Sequence, residues 1–233
     1  MITIRITTRD YTILRELEEG RFLTREQVQM LFFSTTQGPQ KAQERLRKLV
    51  KEKKVRRKRV GATGQYVYYL PDDRWSEKWG HWISLNWVKA CFVAQAKSWH
   101  KISVFKREYV FDNLRADALV AIDNTVKKER KVIFVESDNG HNKFTDKYKS
   151  SYENTAYSID PPWWAKNSYP SVLVVTNNPD KVIEAVDHSP VNYHVATIGE
   201  IKDDIFKCLT KSYGNKADND IYRALKLCGE ECV

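Results

Sequence analysis

The apolar residues of the first fifty positions recur at helical spacing in three segments. The first segment follows a capping pair, Thr7 and Asp10, and the second follows another, Thr24 and Gln27. The third begins at Pro39, a residue that suits the first turn of a helix. Its apolar stripe, at positions i, i+4, i+7 and i+8, consists of Ala42, Leu46, Leu49 and Val50. This pattern predicts three helices, each with one buried face.

Two strand-like runs follow the third helix. VRRKRV and QYVYYL are separated by residues 61–64, which contain two glycines, and this arrangement predicts a hairpin. Three helices followed by a basic hairpin are typical of a winged helix-turn-helix. We therefore expect a first domain at residues 1–70 and a polar linker at 71–80, PDDRWSEKWG.

Residues 81–211 predict a second domain of mixed α+β or α/β class. A helix at 82–98 precedes a strand at 102–110, and two further strands carry Asp117 and the Glu136–Asp138 segment. A helix at 142–157 is followed by SVLVVT, a continuous apolar run typical of a buried parallel strand. The order helix, three strands, helix, strand is completed by further elements up to residue 211. Residues 212–233 predict a flexible link and a short final helix.

The net positive charge of the chain lies entirely in its first seventy residues, and this distribution indicates a function for the first domain. The 233 residues have a formal net charge of +9, and residues 1–70 hold 16 Lys and Arg against 7 Asp and Glu. Residues 71–233 are balanced, with 23 of each sign. Such a focused positive field indicates an acidic polymer as partner. No apolar run is long enough to span a bilayer, so we expect a cytoplasmic protein without a membrane partner.

Double-stranded DNA is the polymer that the first domain predicts. The third helix would enter the major groove, with Gln40, Gln43 and Arg47 reading base edges. The hairpin cations would neutralise phosphates. The complete set of candidate DNA-binding residues is Gln40, Lys41, Gln43, Arg47, Lys51, Arg56, Arg57, Lys58 and Arg59. The alternative is that these charges form only a solvated face.

Three carboxylates in the second domain predict a metal site. Glu136 and Asp138 project to one side of a strand, and pairing with the preceding strand could bring Asp117 beside them. Hard oxygen ligands of this kind suit Mg²⁺ or Mn²⁺. In the structural alternative, Asp117 pairs with Arg115 or Lys131, and Asp138 caps the helix that follows.

The order of elements in the second domain, with Asp117 in its second strand and Glu136 in its third, resembles the core of the PD-(D/E)XK nuclease superfamily. The resemblance implies a restriction-endonuclease-like αβββαβ fold in which the two acidic residues bind a divalent metal. It also implies a lysine two residues after the glutamate, where this chain has Asp138. In some such nucleases the following helix supplies the lysine, a role for which Lys143 and Lys147 are candidates. Glu108 is a further candidate acidic ligand.

Several separated blocks, among them TTRDYTILRELEEGRFLTREQVQMLFF, RADALV and FVESDNG, resemble the plasmid replication-relaxation protein family. The resemblance implies a DNA-binding protein of a plasmid or mobile element that acts in plasmid replication and DNA relaxation. Replication or relaxase proteins and a second copy of the chain are further candidate partners. Two alternatives remain open: a Mg²⁺- or Mn²⁺-dependent endonuclease or nickase using Asp117, Glu136, Asp138 and a helix lysine, and a transcriptional repressor.

Other chemistry-bearing residues favour structural roles. His141 is expected on a surface turn rather than as a general base. His81, at a helix start, is expected to cap the helix or to pack against its neighbours. The adjacent residues Trp163 and Trp164 could stack on bases but more often close a core edge. Cys228 and Cys232 have a spacing that favours a buried helix face over a zinc site.

Overall fold

The chain forms two compact units, each with its own sheet. The structure, a computed structural model, describes residues 6–61, 64–138, 144–156 and 169–214. Backbone contacts divide the chain into Met1–Ala94 and Gln95–Val233. The described residues contain seven helices, a three-stranded sheet and a mixed six-stranded sheet, so the expected mixed class of α and β structure is confirmed. No helix among them has both the length and the apolar character needed to cross a membrane.

Most elements of the first unit begin where the sequence predicted. Its elements are α1 Thr8–Gly20, β1 Leu23–Thr24, α2 Arg25–Phe32, α3 Gly38–Lys51, β2 Arg56–Val60, β3 Gln65–Tyr69 and α4 Trp79–Gln95, whose last residue begins the second unit. Both predicted capping boxes are present, with Thr7 bonded reciprocally to Asp10 and Thr24 to Gln27. Each box satisfies backbone N–H groups that the first turn of a helix leaves without partners.

The predicted apolar stripe of α3 faces the core of the first unit. Ala42, Leu46 and Leu49 are buried there with Ile13 and Leu17 of α1. The β2–β3 hairpin was also predicted, but β1 was not. β1 pairs with β3 and gives the sheet the order β1-β3-β2. Two residues are too few for an alternating pattern to show in a sequence.

The first unit extends beyond the boundary that we expected at residues 71–80. Asn86 of α4 donates hydrogen bonds to the carbonyl oxygens of Gly20 and Phe22, at 2.9 and 2.6 Å. In addition, Gln27 donates to the carbonyl of Ile83 at 2.7 Å. These bonds join residues more than fifty positions apart, which no local pattern reveals, and they explain why α4 belongs to the first unit up to Ala94.

The second unit is organised on the six-stranded sheet. Its elements are β4 His100–Phe111, β5 Leu114–Asn124, β6 Glu129–Asp138, α5 Phe144–Ala156, β7 Ser171–Thr176, α6 Pro179–Val186, β8 Asn192–Ala196, α7 Ile198–Cys208 and β9 Tyr213–Gly214. The strands follow their chain order across the sheet. β4, β5 and β6 are antiparallel, whereas β7 is parallel to both β6 and β8, as its continuous apolar sequence predicted.

The start of the segment expected to be a flexible link is a strand. Tyr213 pairs with Tyr193, and Gly214 pairs with Asn192. Gly214 has φ +93°, and a Cβ atom there would lie 2.3 Å from the carbonyl oxygen of Val191. Only glycine permits this close approach. The expected final helix lies outside the described residues.

A polar cluster around His194 is buried beside the parallel strands. The Nδ1 of His194 lies 2.7 Å from the carbonyl oxygen of Lys211 and donates to it, while Nε2 lies 3.1 Å from the Ser171 hydroxyl and 3.4 Å from the Lys131 ammonium. Burial, together with the charge of Lys131, lowers the pKa of His194 to about 4. Burial also lowers the pKa of Lys131 to about 8. The folded protein therefore holds His194 in its neutral form.

We predict a loss of stability on acidification. The unfolded chain takes up a proton at His194 near the ordinary pKa of 6.5, whereas the folded chain resists protonation to about pH 4. The free energy of unfolding should therefore fall by up to about 3 kcal/mol between these values. Urea unfolding at several pH values measures the fall, which His194→Asn should reduce. Equal pH dependence in the two proteins would contradict this role of His194.

Candidate functional site

The solvent side of α3 carries the residues that were expected to contact DNA. Gln40, Lys41, Arg47 and Lys51 are exposed, and Gln43 is half-buried. Gln40 donates to Glu44 at 3.2 Å along the same helix. The core residues of α3 occupy the opposite side. The helix thus has the buried face and the basic face that its sequence predicted.

The four hairpin cations Arg56, Arg57, Lys58 and Arg59 are exposed, but neighbouring ones face opposite sides of the sheet. Arg57 pairs across the hairpin with Tyr68, which belongs to the core of α1, α2 and α3. Lys58 pairs with Val67, which packs with Phe22 and Trp82 in a separate cluster. We expected the four cations to bind phosphates as one set. In the fold, Arg57 and Arg59 lie on one side of the sheet and Arg56 and Lys58 on the other.

Aromatic rings hold two of these cations. The Arg57 guanidinium lies 4.4 Å from the centre of the Tyr66 ring, and the Lys58 ammonium lies 4.4 Å from that of Trp75. Arg59 donates from Nε to the carbonyl oxygen of Gly64 at 2.9 Å. Such contacts restrict long side chains that would otherwise sample many rotamers.

One cation of the basic segment has a structural role. Arg45 forms a bidentate ion pair with Asp10, which is buried at the start of α1. Burial opposes ionisation of Asp10, but the Arg45 guanidinium and the bonds from Thr7 hold the pKa of this carboxyl below its ordinary value. Arg45 therefore ties α3 to α1, and its charge is neutralised within the fold.

In the second unit, two of the three predicted carboxylates, Asp117 of β5 and Glu136 of β6, lie close to each other. Ala118 of β5 pairs with Val135 of β6 at the end of their ladder, and Asp117 and Glu136 are the next residues on the two strands. Asp117 accepts a hydrogen bond from the backbone N–H of Ser137 at 2.8 Å. The predicted neighbourhood of Asp117 and Glu136 is therefore present.

Lys147 is the predicted helix lysine that reaches this pair. Its ammonium lies 2.8 Å from Oε1 of Glu136 and donates to the carbonyl oxygen of Arg115 at 2.6 Å. These two bonds fix the ammonium between β5 and β6. Lys143 lies outside the described residues.

Tyr148 is a residue of this site that the sequence did not reveal. It is fully buried, and its hydroxyl donates to Oε1 of Glu136 at 2.5 Å. Tyr148 belongs to an i, i+4, i+8 stripe with Phe144 and Tyr152, which by itself indicates only a core-facing helix. The one sequence signal for its role is the hydroxyl that a tyrosine brings into a buried apolar stripe, where it needs a hydrogen-bond partner.

The surroundings of Glu136 raise its pKa to about 7. Burial is the largest cause and the charge of Asp117 the second, while Lys147 and Tyr148 act in the opposite direction. Both donors use Oε1, so Oε2 is the oxygen that a cation would meet. Because Mg²⁺ is commonly held by one or two carboxylates together with substrate phosphate, Asp117 and Glu136 fit such an ion.

Asp138 is bonded elsewhere. It is buried at the end of β6, opposite Thr176 of β7, and accepts a hydrogen bond from the Thr176 hydroxyl at 3.4 Å. Within the described ranges, no three His, Cys, Asp or Glu side chains form a group that could hold a metal ion. The expected convergence of three carboxylates is thus seen there only for Asp117 and Glu136.

The remaining candidates are less informative. Glu108 is exposed in β4 opposite Asp117, since Arg107 pairs with Ala118 and Tyr109 with Ala116. His81 is half-buried in α4, with its ring 6.1 Å from that of Trp82. The candidates that lie outside the described residues are His141, Trp163, Trp164, Cys228 and Cys232.

We predict that Tyr148→Phe raises the pKa of Glu136. The substitution keeps the ring but removes a donor to the ionised carboxylate, and a hydrogen bond to a charged group is worth about 1.5 kcal/mol, which corresponds to about one pH unit. Carbon-13 NMR titration of the Glu136 carboxyl measures the effect. Tyr152→Phe, on the same helix, is the matched control. An unchanged pKa in Tyr148→Phe would mean that the hydroxyl does not stabilise the carboxylate.

Comparison with protein-family models, with curated proteins and with solved structures found no match.

Proposed function

We propose that the first unit is a winged helix-turn-helix that binds double-stranded DNA. The order α1-β1-α2-α3-β2-β3, with β1 paired to β3, is the order expected of this motif. The observation that carries the proposal is the exposure of basic side chains along both α3 and the adjoining hairpin, opposite the buried stripe of α3. A face of this kind matches the negative charge of a duplex.

The two parts of this face have different tasks. Gln40, Gln43 and Arg47 of α3 would contact base edges in the major groove. Lys41 and Lys51 would contact phosphates on either side. In the hairpin, Arg57 and Arg59 lie on the side of the sheet that faces α1, α2 and α3. They are therefore the pair that would reach the same duplex as α3.

We predict that Arg57→Ala with Arg59→Ala weakens DNA binding more than Arg56→Ala with Lys58→Ala. The first pair should lower the slope of log K against log salt by about two, because each lost phosphate contact contributes about 0.9. Fluorescence anisotropy with a labelled duplex at several salt concentrations measures this slope. The second pair removes the same charge and serves as the control. Equal slopes for the two double variants would refute the assignment of sides.

For the second unit we propose metal-dependent cleavage of a phosphodiester bond in DNA. The observation that favours this second function is the grouping of Asp117, Glu136 and Lys147. It corresponds to the acidic pair and the helix lysine implied by the resemblance to PD-(D/E)XK nucleases. In those nucleases a lysine follows the glutamate by two residues, where this chain has Asp138. Lys147 would take the role of that lysine.

Each residue of this group has a distinct role in the proposed reaction. Asp117 and Glu136 would hold Mg²⁺ or Mn²⁺, which when bound supplies Lewis-acid stabilisation of charge on the phosphate. The Lys147 ammonium adds a fixed positive charge beside the carboxylates. Tyr148 donates to Oε1 of Glu136 and so fixes the orientation of this carboxylate.

We expect Glu136→Gln and Lys147→Met to abolish nicking of supercoiled plasmid in the presence of Mn²⁺. The loss should be at least about a hundredfold, which is typical when one charged group is removed from a preorganised site. Agarose gels resolve the nicked and supercoiled forms. Lys149→Met changes an exposed lysine of the same helix and should retain activity. Absence of nicking by the unaltered protein, or equal nicking by Glu136→Gln, would refute the proposal.

A role in plasmid replication and DNA relaxation is the biological setting that the sequence resemblance favours. DNA binding by the first unit and strand cleavage by the second would together serve such a role, with replication or relaxase proteins as partners. A transcriptional repressor would need only the first unit and would leave the grouping of Glu136 with Lys147 without a use.

A further inference from the structure

A pocket lined by both polar and apolar groups lies beside α5. Its volume is about 270 Å³, and it lies between α5 and the β4–β5 turn. That turn has two residues, Asp112 and Asn113, because Phe111 pairs directly with Leu114. We refer to this cavity as the α5 pocket.

The helix wall of the α5 pocket is polar along its whole length. It consists of residues at i, i+3, i+4, i+7 and i+8, namely Lys147, Ser150, Ser151, Asn154 and Thr155. This spacing defines one face of a helix, and a face that packs against a protein core is normally apolar. The apolar residues of α5, Phe144, Tyr148 and Tyr152, follow a different line. Within this wall Ser151 is buried and Lys147 and Thr155 are half-buried, whereas Ser150 and Asn154 are exposed, so the pocket is open to solvent along part of the helix.

Lys147 connects the α5 pocket to the candidate cleavage site. Its side chain lines the pocket, and its ammonium lies 2.8 Å from Oε1 of Glu136. The ammonium also bonds to the carbonyl oxygen of Arg115, directly after the pocket residue Leu114. A group joined to a phosphate at Glu136 would therefore lie near the pocket.

The lining indicates which part of a nucleotide the pocket would take. It contains one cation, Lys147, and one carboxylate, Asp112, so its net charge does not favour a second phosphate. Asn113 and Asn154 offer amide groups that both donate and accept, as recognition of a base edge requires. Phe111, which packs against the core of the second unit, gives the pocket an apolar wall that a base can contact. The volume lies just below the range of pockets for drug-sized ligands, which suits a single base.

We propose that the α5 pocket binds the nucleobase adjacent to the phosphodiester that is cleaved at Asp117 and Glu136. This inference rests on the proposed cleavage function for the position of the phosphate. It means that the second unit contributes base preference at the cut, in addition to the site selection by the first unit. A base in this pocket is unstacked from its neighbours, so the bound strand is locally single-stranded.

The test is binding of 2′-deoxynucleoside 5′-monophosphates to the full chain without divalent metal. Isothermal titration of each of the four nucleotides should show at least one that binds more tightly than deoxyribose 5-phosphate, which lacks a base. Asn154→Leu fills the pocket and should weaken that binding at least about tenfold, because it removes the amide and occludes the space. Glu153→Leu, at the neighbouring exposed position of α5, is the matched control and should bind as the unaltered protein does.

The outcomes separate the pocket from the cleavage function. Base-dependent binding that Asn154→Leu weakens, in a protein that does not nick plasmid, would support the pocket and refute cleavage. Nicking by a protein that binds nucleotides no better than deoxyribose 5-phosphate would refute the pocket and support cleavage. Unchanged nucleotide binding in Asn154→Leu would also overturn the assignment. If thermal unfolding shows that Asn154→Leu is unstable, Ser150→Leu provides a second occluding variant at an exposed position.

Discussion

The burial of one carboxylate is the constraint on which the candidate site depends. Glu136 is only 3% exposed, and the hydration it loses is replaced by donors from Lys147 and Tyr148 of the adjacent helix. A buried charge without such partners would be prohibitively unfavourable. Even with them, the pKa stays near 7, so ionising Glu136 costs more free energy in the folded protein than in the unfolded chain. Strongly perturbed carboxylates cluster at functional sites, and structural ion-pair networks produce them as well.

The helix α5 serves the site because its residues have two separate tasks. One line of aromatic side chains, with Tyr148 at its centre, fills the core against Phe134 and Tyr193. The line beginning at Lys147 is polar and faces the turn between β4 and β5. Adjacent residues on a helix point about 100° apart, so Lys147 and Tyr148 can approach the same oxygen from two sides. The rigidity of the packed line therefore determines the position of the ammonium.

Local signals in the sequence account for most of the fold. Both capping boxes, the stripe of α3, the hairpin and the parallel strand SVLVVT were predicted because each depends on residues close together in the chain. The approach of Asp117 to Glu136 was predictable as well, since it follows from alternation and antiparallel pairing. The bond from Tyr148, the hydrogen bonding of Asp138 to Thr176 and the packing of α4 were not. They depend on register between distant strands and on side-chain contacts that a periodic pattern does not encode.

The amide of Asn86 determines how much of the chain is needed for the first unit to fold by itself. A fragment that stopped at residue 70 would lose the Asn86 amide that donates to the carbonyl oxygens of Gly20 and Phe22, and Gly20 would keep only its bond from the Phe22 N–H. It would also lose Trp82 from the cluster that covers Phe22 and Val67. The loss of these bonds and the exposure of an aromatic ring favour aggregation over independent folding. The compact unit that contains α3 therefore extends through Ala94, and it includes a helix that contributes no residue to the basic face.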